Sequence, residues 1–591
     1  MATAEGTVIR IAGPVAEAKG MSNAVMHEMV EVGHNGLIGE IIRLEGDHAT
    51  IQIYQNTSGL KLNEPVIGTG SLLSVELGPG LIGGVFDGIQ RQLESLRVLT
   101  GPFIKQVHGI TALSQEKKWS FHPKVKTDAK LVSGDILGTV KETNLVEHRI
   151  MVPVGVKGKL VEIASEGDYT IVETIAVIEV ADGKKTDIQM LQRWPVRIPR
   201  PHTRRLFASI PLITGQRVID TFFPIAKGGS AAIPGPFGAG KTITQQQLAK
   251  WSDANVVIYV GCGERGNEMV EVLDTFPQLL DPTTGQPLME RTILVANTSN
   301  MPVSAREASI YTGITLAEYY RDMGYAVALM ADSTSRWAEA LREVSGRLEE
   351  MPAEEGFPSY LPSRLAEFYE RTGVVETLGT DGRTGSICAI GAVSPPGGDF
   401  SEPVTQHTKR FTRVFWALDA ELAGSRHYPA INWMASYSGY ITDLTDWWHK
   451  NVDDKWADYR NEAMHILQAE DELKNIVKLV GPEALPDKQR LIIETARVIR
   501  IAFLQQNALD PIDTYCNPKK QYKMLKIIVD FHHLAGNVII KGAPIFKITE
   551  LPVIEDLMRM KNSIPNDQLE RLDEVEKKMH QNMENLEATL R

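Results

Sequence analysis

The chain has 591 residues, 43% of them apolar and 23% charged, a globular composition with apolar material for several cores, and the length suggests about three or four domains. A formal net charge of −12 disfavours nonspecific nucleic-acid binding, which needs clustered positive charge, and leaves open only a local basic groove. The three cysteines, Cys262, Cys388 and Cys516, are far apart, lack metal-ligand spacing and suit a reducing cytosol.

The N-terminus, Met1-Ala2-Thr3-Ala4-Glu5-Gly6, has no basic stretch followed by an apolar run, so no signal peptide is expected. No apolar run approaches the ~18 residues of a spanning helix, so any work at a membrane is expected to go through partners. Residues 1 to about 70 read as short strands: Thr7-Val8-Ile9-Arg10-Ile11 alternates, Gly13-Pro14 turns the chain, and runs at 38–44 and 49–54 are split by Glu45-Gly46-Asp47. Strands so close together predict a small barrel. Glu76-Leu77-Gly78-Pro79-Gly80-Leu81-Ile82 reads as a linker. Residues from about 110 to 190 form a second β-rich block, in which 133–140 and 154–161 look like parts of a lipoyl-like sandwich. A covalently modified Lys157 or Lys159 is conceivable there, but solvated basic residues on a structural sandwich are the simpler reading.

From about residue 200 apolar runs alternate with helical stretches, the signature of a parallel sheet with covering helices. Buried strands are expected at 256–260, 291–296, 325–331 and 386–390, and a helix over 305–323. After about 440 the strand runs stop, and 463–467, 490–506 and the tail carrying Leu569, Leu572, Val575 and Met579 have apolar residues at helical spacing. The tail stripe suits packing rather than a membrane surface, because its polar face mixes acids and bases.

The stretch that carries chemistry is Gly235-Pro236-Phe237-Gly238-Ala239-Gly240-Lys241-Thr242, which fits the phosphate-cradling pattern G-x-x-x-x-G-K-[ST]. A short apolar run precedes it and a helical one, 243–251, follows, the strand–loop–helix context the pattern needs. Glycines let several N–H groups point at one anion, and the helix N-terminus adds its positive dipole end. Lys241 would place a charge on the β- and γ-phosphates, and the Thr242 hydroxyl could ligate Mg²⁺. Functional residues of open α/β sheets lie at the carboxyl ends of strands. One such end leads to Asp332, the pattern of a carboxylate that holds Mg²⁺ through water, or else a cap for the next helix. Another leads to Gly261-Cys262-Gly263-Glu264-Arg265-Gly266-Asn267-Glu268. Glu264 is the candidate for orienting the attacking water, with Arg265 nearby for charge; an ordinary Glu264–Arg265 ion pair is the bland alternative, and Glu268 the alternative carboxylate. The pair His532-His533 has no further ligand nearby and is expected to pack or face solvent, and Cys262 is expected as a small buried hydrophobe.

These motifs together resemble the catalytic A subunit of the rotary V-type and A-type ATPases. The likeness covers essentially the whole chain. It includes 234–241, 261–268, Asn297-Thr298-Ser299-Asn300-Met301-Pro302, the run from Ala331-Asp332-Ser333-Thr334-Ser335-Arg336 to Glu343, and Pro429-Ala430-Ile431-Asn432-Trp433-Met434-Ala435-Ser436-Tyr437-Ser438. The resemblance implies a multidomain α/β fold: N-terminal β-barrel (1–72), linker (73–109), inserted β-rich domain (110–195), RecA-like P-loop domain (196–440) and C-terminal helical domain (441–591). It implies ATP or ADP with Mg²⁺ and hydrolysis or synthesis coupled to H⁺ or Na⁺ transport. The implied partners are B subunits in an A3B3 ring that supply an arginine finger, central-stalk rotor and peripheral-stalk subunits, and a membrane ion-translocating sector, with no nucleic acid. The place implied is peripheral, on the cytoplasmic face of the membrane. Carried over by position, Gly235 to Thr242 would hold phosphates and metal, with Lys241, Glu264 and Arg265 as the catalytic set and Asp332 near Mg²⁺. Tyr428 and Phe503 stand where the family places aromatics against adenine, whose flat face they would cover. The stretch around 481–485 resembles the lever that meets the rotor. Eukaryotic V-type relatives have a cysteine where this chain has Ala239, so thiol control of the loop is not expected and a prokaryotic enzyme is. A RecA-like nucleic-acid translocase and a non-catalytic nucleotide-binding scaffold are the competing readings. The acidic balance opposes the first, and Lys241, Thr242 and Glu264 oppose the second.

Overall fold

The computed structural model describes residues 4–101, 111–181, 183–281 and 284–590. Residues 1–3 of the N-terminal stretch, and residues 102–110, where the linker is expected to give way to the insert, lie outside the described residues. Two compact units are present. One comprises Met1–Phe207, Lys227–Ala232 and Ala254–Thr412; the other comprises Ala208–Ala226, Ile233–Asp253 and Arg413–Arg591.

In the first unit, six strands from Glu5–Ala12 to Pro65–Leu72 close into a barrel, with the fifth strand between the second and fourth. Alternation drives the closure: Val8, Val30, Ile41, Ile51 and Val66 point into one core while their neighbours face outward. Strands between Lys118 and Gln189 then build two four-stranded sheets, one of them packed around Leu131, Leu160 and Ile178. Lys159 pairs with Asp128 at 2.6 Å on the exposed surface of this sandwich, as a solvated lysine does.

The stretch read as a linker is more structured than its turn residues suggest. Ser74–Leu77 pairs antiparallel with Gln192–Pro195, Val85–Phe86 (β1) joins the nucleotide-type sheet, and Leu93–Thr100 is a helix. Gly78-Pro79-Gly80 marks a real turn, but the strand before it finds its partner far along the chain, which no local pattern reveals.

The parallel sheet of this unit is built from β3 (Val256–Glu264), β4 (Thr292–Thr298), β5 (Ala326–Asp332) and β6 (Thr384–Val393), once β2 (Ser230–Pro234) has started it. The order is β6-β5-β3-β4-β1, all parallel, and the start of β2 lies beside β6, where the Ala389 N–H donates to the Gly229 carbonyl at 3.1 Å. β3 is buried along its whole length, the continuous pattern of a sheet covered on both faces. The long helix Val303–Asp322 lies against β3 to β6 with nearly every residue buried.

In the second unit, the end of β2 leads into α1 (Lys241–Trp251), and Val414–Phe415 (β7) pairs with Tyr437–Ser438 (β8). The first unit contributes α2 (Gly266–Thr275), α3 (Val303–Asp322) and α4 (Thr334–Arg347). The rest of the second unit is helical: α5 (Trp456–Val480), α6 (Asp487–Val498), α7 (Pro518–Ile540), α8 (Val553–Ser563) and α9 (Glu570–Ala588) are its main members. α6 ends in a π-helical turn, Ile499–Leu504, so the helix expected over 490–506 is not uniform.

Candidate active site

The phosphate-loop residues fold as their types dictate. The Ala239 N–H donates to the Pro236 carbonyl at 3.3 Å, closing a turn in which Gly238 takes φ +78. Gly240, at φ +92, is the N-cap of α1. Both conformations are cheap only for glycine. Gly235 has a different reason: a Cβ there would lie 2.6 Å from Leu418 Cβ. Lys241 Nζ donates to the Gly235 and Pro236 carbonyls at 2.7 and 2.9 Å, so its ammonium is held over the loop. Phe237 projects outward, 77% exposed. Among the described residues no side chain caps α1 and no acid stands in its first turn. Clustered N–H groups, a lysine and a helix N-terminus are a donor set for a polyanion.

Of the two aromatics, Tyr428 is half-exposed and its ring lies 3.7 Å from where a Cβ on Gly240 would be. Phe503 is fully buried, with its ring edge-on to Phe222 at 5.8 Å. It offers no open face for a base. The position that the resemblance assigns to an adenine-covering ring is here part of the packed core of the second unit.

In the first unit, β3 runs four residues beyond its expected end and carries Glu264 as its last residue. The register against β4 slips between Cys262 and Glu264, a bulge of the kind that re-aims a side chain next to a site. Gly263 sits in the bulge at φ +72, where a Cβ would meet Arg306 Cδ at 2.7 Å. Glu264 is buried, and Arg336 Nε lies 3.2 Å from its Oε1. Burial first, then its hydrogen bond to Glu268 and the charge of Asp332, push the Glu264 carboxyl up to about 8, against the opposing pull of Arg336. Asp332 ends β5, is buried, and accepts a hydrogen bond from the Tyr259 hydroxyl at 2.9 Å. Arg265 is exposed at the N-cap of α2, and Arg336, from a helix far along the chain, is a cation on Glu264.

Arg336, Tyr259 and Arg306 were not singled out from sequence. Arg336 lies in the first turn of α4, a few residues after the acid that ends β5, and that position is the signal that could have found it. Cys262 is buried, its thiol raised to about 12 by burial, and it donates to the Arg306 carbonyl at 3.4 Å. His532 Nδ1 lies 2.8 Å from Thr495 Oγ1 and His533 pairs with Glu462.

Comparison with known proteins gives this arrangement a family. The model of the ATP synthase alpha/beta family, nucleotide-binding domain, matches residues 215–438. The family's beta-barrel domain matches residues 6–70, its barrel-sandwich domain 110–197, and the C-terminal domain of V and A type ATP synthase 445–547. The A subunit of the A-type ATP synthase of Methanopyrus kandleri is 62% identical over 583 residues, 98% of each chain. The chain belongs to the family of A-type ATP synthase A subunits. The A subunit of Thermococcus onnurineus is 62% identical over 556 residues, covering 94% of this chain and 95% of that one. The A subunit of Hyperthermus butylicus is 60% identical over 587 residues, 98% of each. Among solved structures, the ATPase EscN of the enteropathogenic E. coli type III secretion system superposes with a TM-score of 0.63 at 20% identity, over 89% of this chain and 100% of that one. That likeness is one of fold.

The A-type family binds nucleotide, and the glycine loop of this chain has the donors that ATP or ADP phosphates need. Each unit offers a hard oxygen donor of its own: the Thr242 hydroxyl in the second and the Asp332 carboxylate in the first. Such donors suit Mg²⁺, an ion that keeps several waters and takes one or two protein oxygens. No group of three or more His, Cys, Asp or Glu is gathered for a metal among the described residues.

Proposed function

We propose that this A-type chain carries out ATP hydrolysis and synthesis with Lys241, Thr242 and the loop 235–242 on the phosphates, Glu264 on the water and Asp332 beside the metal. Membership of the family makes the chain a catalytic component of an ion-translocating ATP synthase. The residue roles are our reading, and the buried, proton-hungry Glu264 is the observation that carries them. A carboxyl near 8 is largely protonated at neutral pH and ionises just above it, so its ionised fraction can take a proton and its protonated form can hand one back in the reverse direction. Arg336 holds its orientation, and the bulge at Gly263 presents it.

When bound, Mg²⁺ would neutralise charge on the phosphates; Thr242 and Asp332 are the side chains that would hold it. Lys241 grips the phosphate end and Tyr428 covers the base. Phe503, buried in this structure, is given no contact with the nucleotide. Arg265, exposed next to Glu264 in the chain, is assigned a supporting charge for the γ-phosphate end.

The five domain limits expected from sequence, the A3B3 ring with its trans arginine finger, the stalks and the cytoplasmic face are part of the same proposal. The exposed Leu479 and Ile476, just before the turn 481–485, suit a lever that meets the rotor. No helix among the described residues is long and apolar enough to cross a membrane, so the chain is assigned a peripheral place.

The test is ATP hydrolysis by the complete complex in liposomes, with and without Na⁺, while internal pH is followed. ATP-dependent acidification, or Na⁺-dependent turnover, supports the reading and names the ion. Turnover that moves neither ion, or that needs nucleic acid, sinks it.

A further inference from the structure

Helix α6 does not stop at Val498. It continues through the π-helical turn Ile499–Leu504, and the chain becomes extended at Gln505. The last carbonyls of a helix lack donors within the helix. Here two cations supply them. The fully buried Arg217 guanidinium donates from Nε to the Phe503 carbonyl at 2.6 Å and from Nη2 to the Gln505 carbonyl at 2.8 Å. Its Nη1 lies 2.7 Å from Asp513 Oδ1, which keeps the buried charge paired. Lys561, on α8, donates to the Ile501 carbonyl at 2.7 Å and to the Gln505 carbonyl at 3.2 Å. Both cations also meet the negative end of the helix dipole.

What this turn holds is Tyr428. The Gln506 N–H donates to the Tyr428 carbonyl at 2.7 Å, and Gln506 Oε1 accepts from the Arg217 N–H at 2.9 Å. Gln505 Nε2 reaches the Arg426 carbonyl at 3.3 Å. The Tyr428 ring is the one beside Gly240.

We propose that Arg217 and Lys561 are positioning residues for the nucleoside half of the substrate: they fix the turn 499–506, which fixes the Tyr428 backbone and hence the ring that covers the base. The proposal rests on the reading of Tyr428 as the base-packing side chain. The carbonyls that these two cations hold belong to the turn and not to the phosphate loop, so the grip on phosphates is independent of the clamp.

The test measures binding of ATP and of inorganic tripolyphosphate to the full-length chain by calorimetry, and KM and kcat in the assembled complex. Lys561→Met and Arg217→Lys are expected to weaken ATP about tenfold and leave tripolyphosphate within about twofold. Lys561→Arg, which keeps the cation, is expected to restore ATP binding. In the complex, KM for ATP rises while kcat stays within about twofold. Lys561 is only part-buried, so its variants keep the test readable if Arg217→Lys does not fold. ATP affinity lost in Tyr428→Ala but kept in Lys561→Met overturns the clamp alone. ATP affinity unchanged in Tyr428→Ala overturns the base-packing reading beneath it. Equal losses of ATP and tripolyphosphate in Lys561→Met mean general loosening and also overturn the clamp.

Discussion

Glu264 shows how much one carboxyl can be asked to do by its surroundings. Glu264→Gln keeps the shape and loses the proton acceptor, so ATP affinity is expected to survive while hydrolysis by the assembled complex falls by about 10²- to 10⁴-fold; retained turnover would remove Glu264 from its role. Because the carboxyl sits at about 8 and must be ionised to accept a proton, kcat/KM is expected to rise with pH and level off above that value. Glu268→Ala, which removes a raising influence, should move this limb to lower pH, and Arg336→Met should move it higher. The same shift has a stability cost. The folded chain holds this proton more tightly than the unfolded chain, whose carboxyl sits near 4.5, so stability falls as pH rises from 4.5 to about 8. Glu264→Gln is therefore expected to melt higher than the parent at about pH 9 and level with it at about pH 4.5; a lower melting temperature at the alkaline pH contradicts the assigned shift.

At the scale of elements, the phosphate loop divides its glycines by cause. Gly240→Ala places a Cβ in ordinary contact with Tyr428, 3.7 Å away, so its cost is the left-handed backbone alone, about 1–2 kcal/mol. Gly235→Ala drives a Cβ to 2.6 Å from Leu418 Cβ, an overpacking cost of about 1–3 kcal/mol that only loss of that Cβ, as in Leu418→Gly, relieves. Thermal denaturation of the single variants, of Gly240→Ala with Leu418→Gly and of Gly235→Ala with Leu418→Gly separates the two: only the pair with Gly235→Ala should be non-additive. The loop itself was legible because its spacing is local. The bulge at Gly263 was not. The apolar run stops at Val260, where the strand is expected to end, but pairing with β4 carries it on through Gly261, Cys262 and Gly263 to Glu264.

Across the molecule, the barrel of the first unit is tied to α3 by a buried ionic network. Arg197 donates to both oxygens of Glu40 at 2.7 and 2.8 Å and to Glu307 at 3.2 and 3.0 Å. Burial alone would raise the Glu40 carboxyl, but the charge of Arg197 and the hydrogen bonds of His27, Arg197 and Tyr54 hold it at about 2. Its pKa is thus depressed from 4.5, so the stability it contributes is present above 4.5 and lost as pH falls towards about 2. Arg197→Met takes the guanidinium from two buried carboxylates and is expected to cost about 3–5 kcal/mol at neutral pH, with the loss shrinking in acid as Glu40 takes a proton. A melting temperature of Arg197→Met that trails the parent equally at pH 7 and at about pH 3 would contradict this. Taken alone, the chain is expected to bind ATP and turn it over poorly, since a charge for the γ-phosphate is assigned to a partner; fast turnover by the isolated chain would argue that the site is complete without one.

The sequence by itself determined the features whose causes are local: the phosphate loop from its glycine spacing, the covered parallel sheet from continuous apolar runs, the barrel from alternation, and the helical end from its period. It also singled out Asp332, which directly follows an apolar run, and Glu264, a carboxylate a few residues past the end of another. Only the tertiary structure decided which groups face which. Arg336 pairs with Glu264, Phe503 lies buried while Tyr428 stands by the loop, and 74–77 and 85–86 become strands in two different sheets. Those outcomes depend on partners tens or hundreds of residues away, and on the desolvation their packing imposes, neither of which leaves a local trace in the order of amino acids.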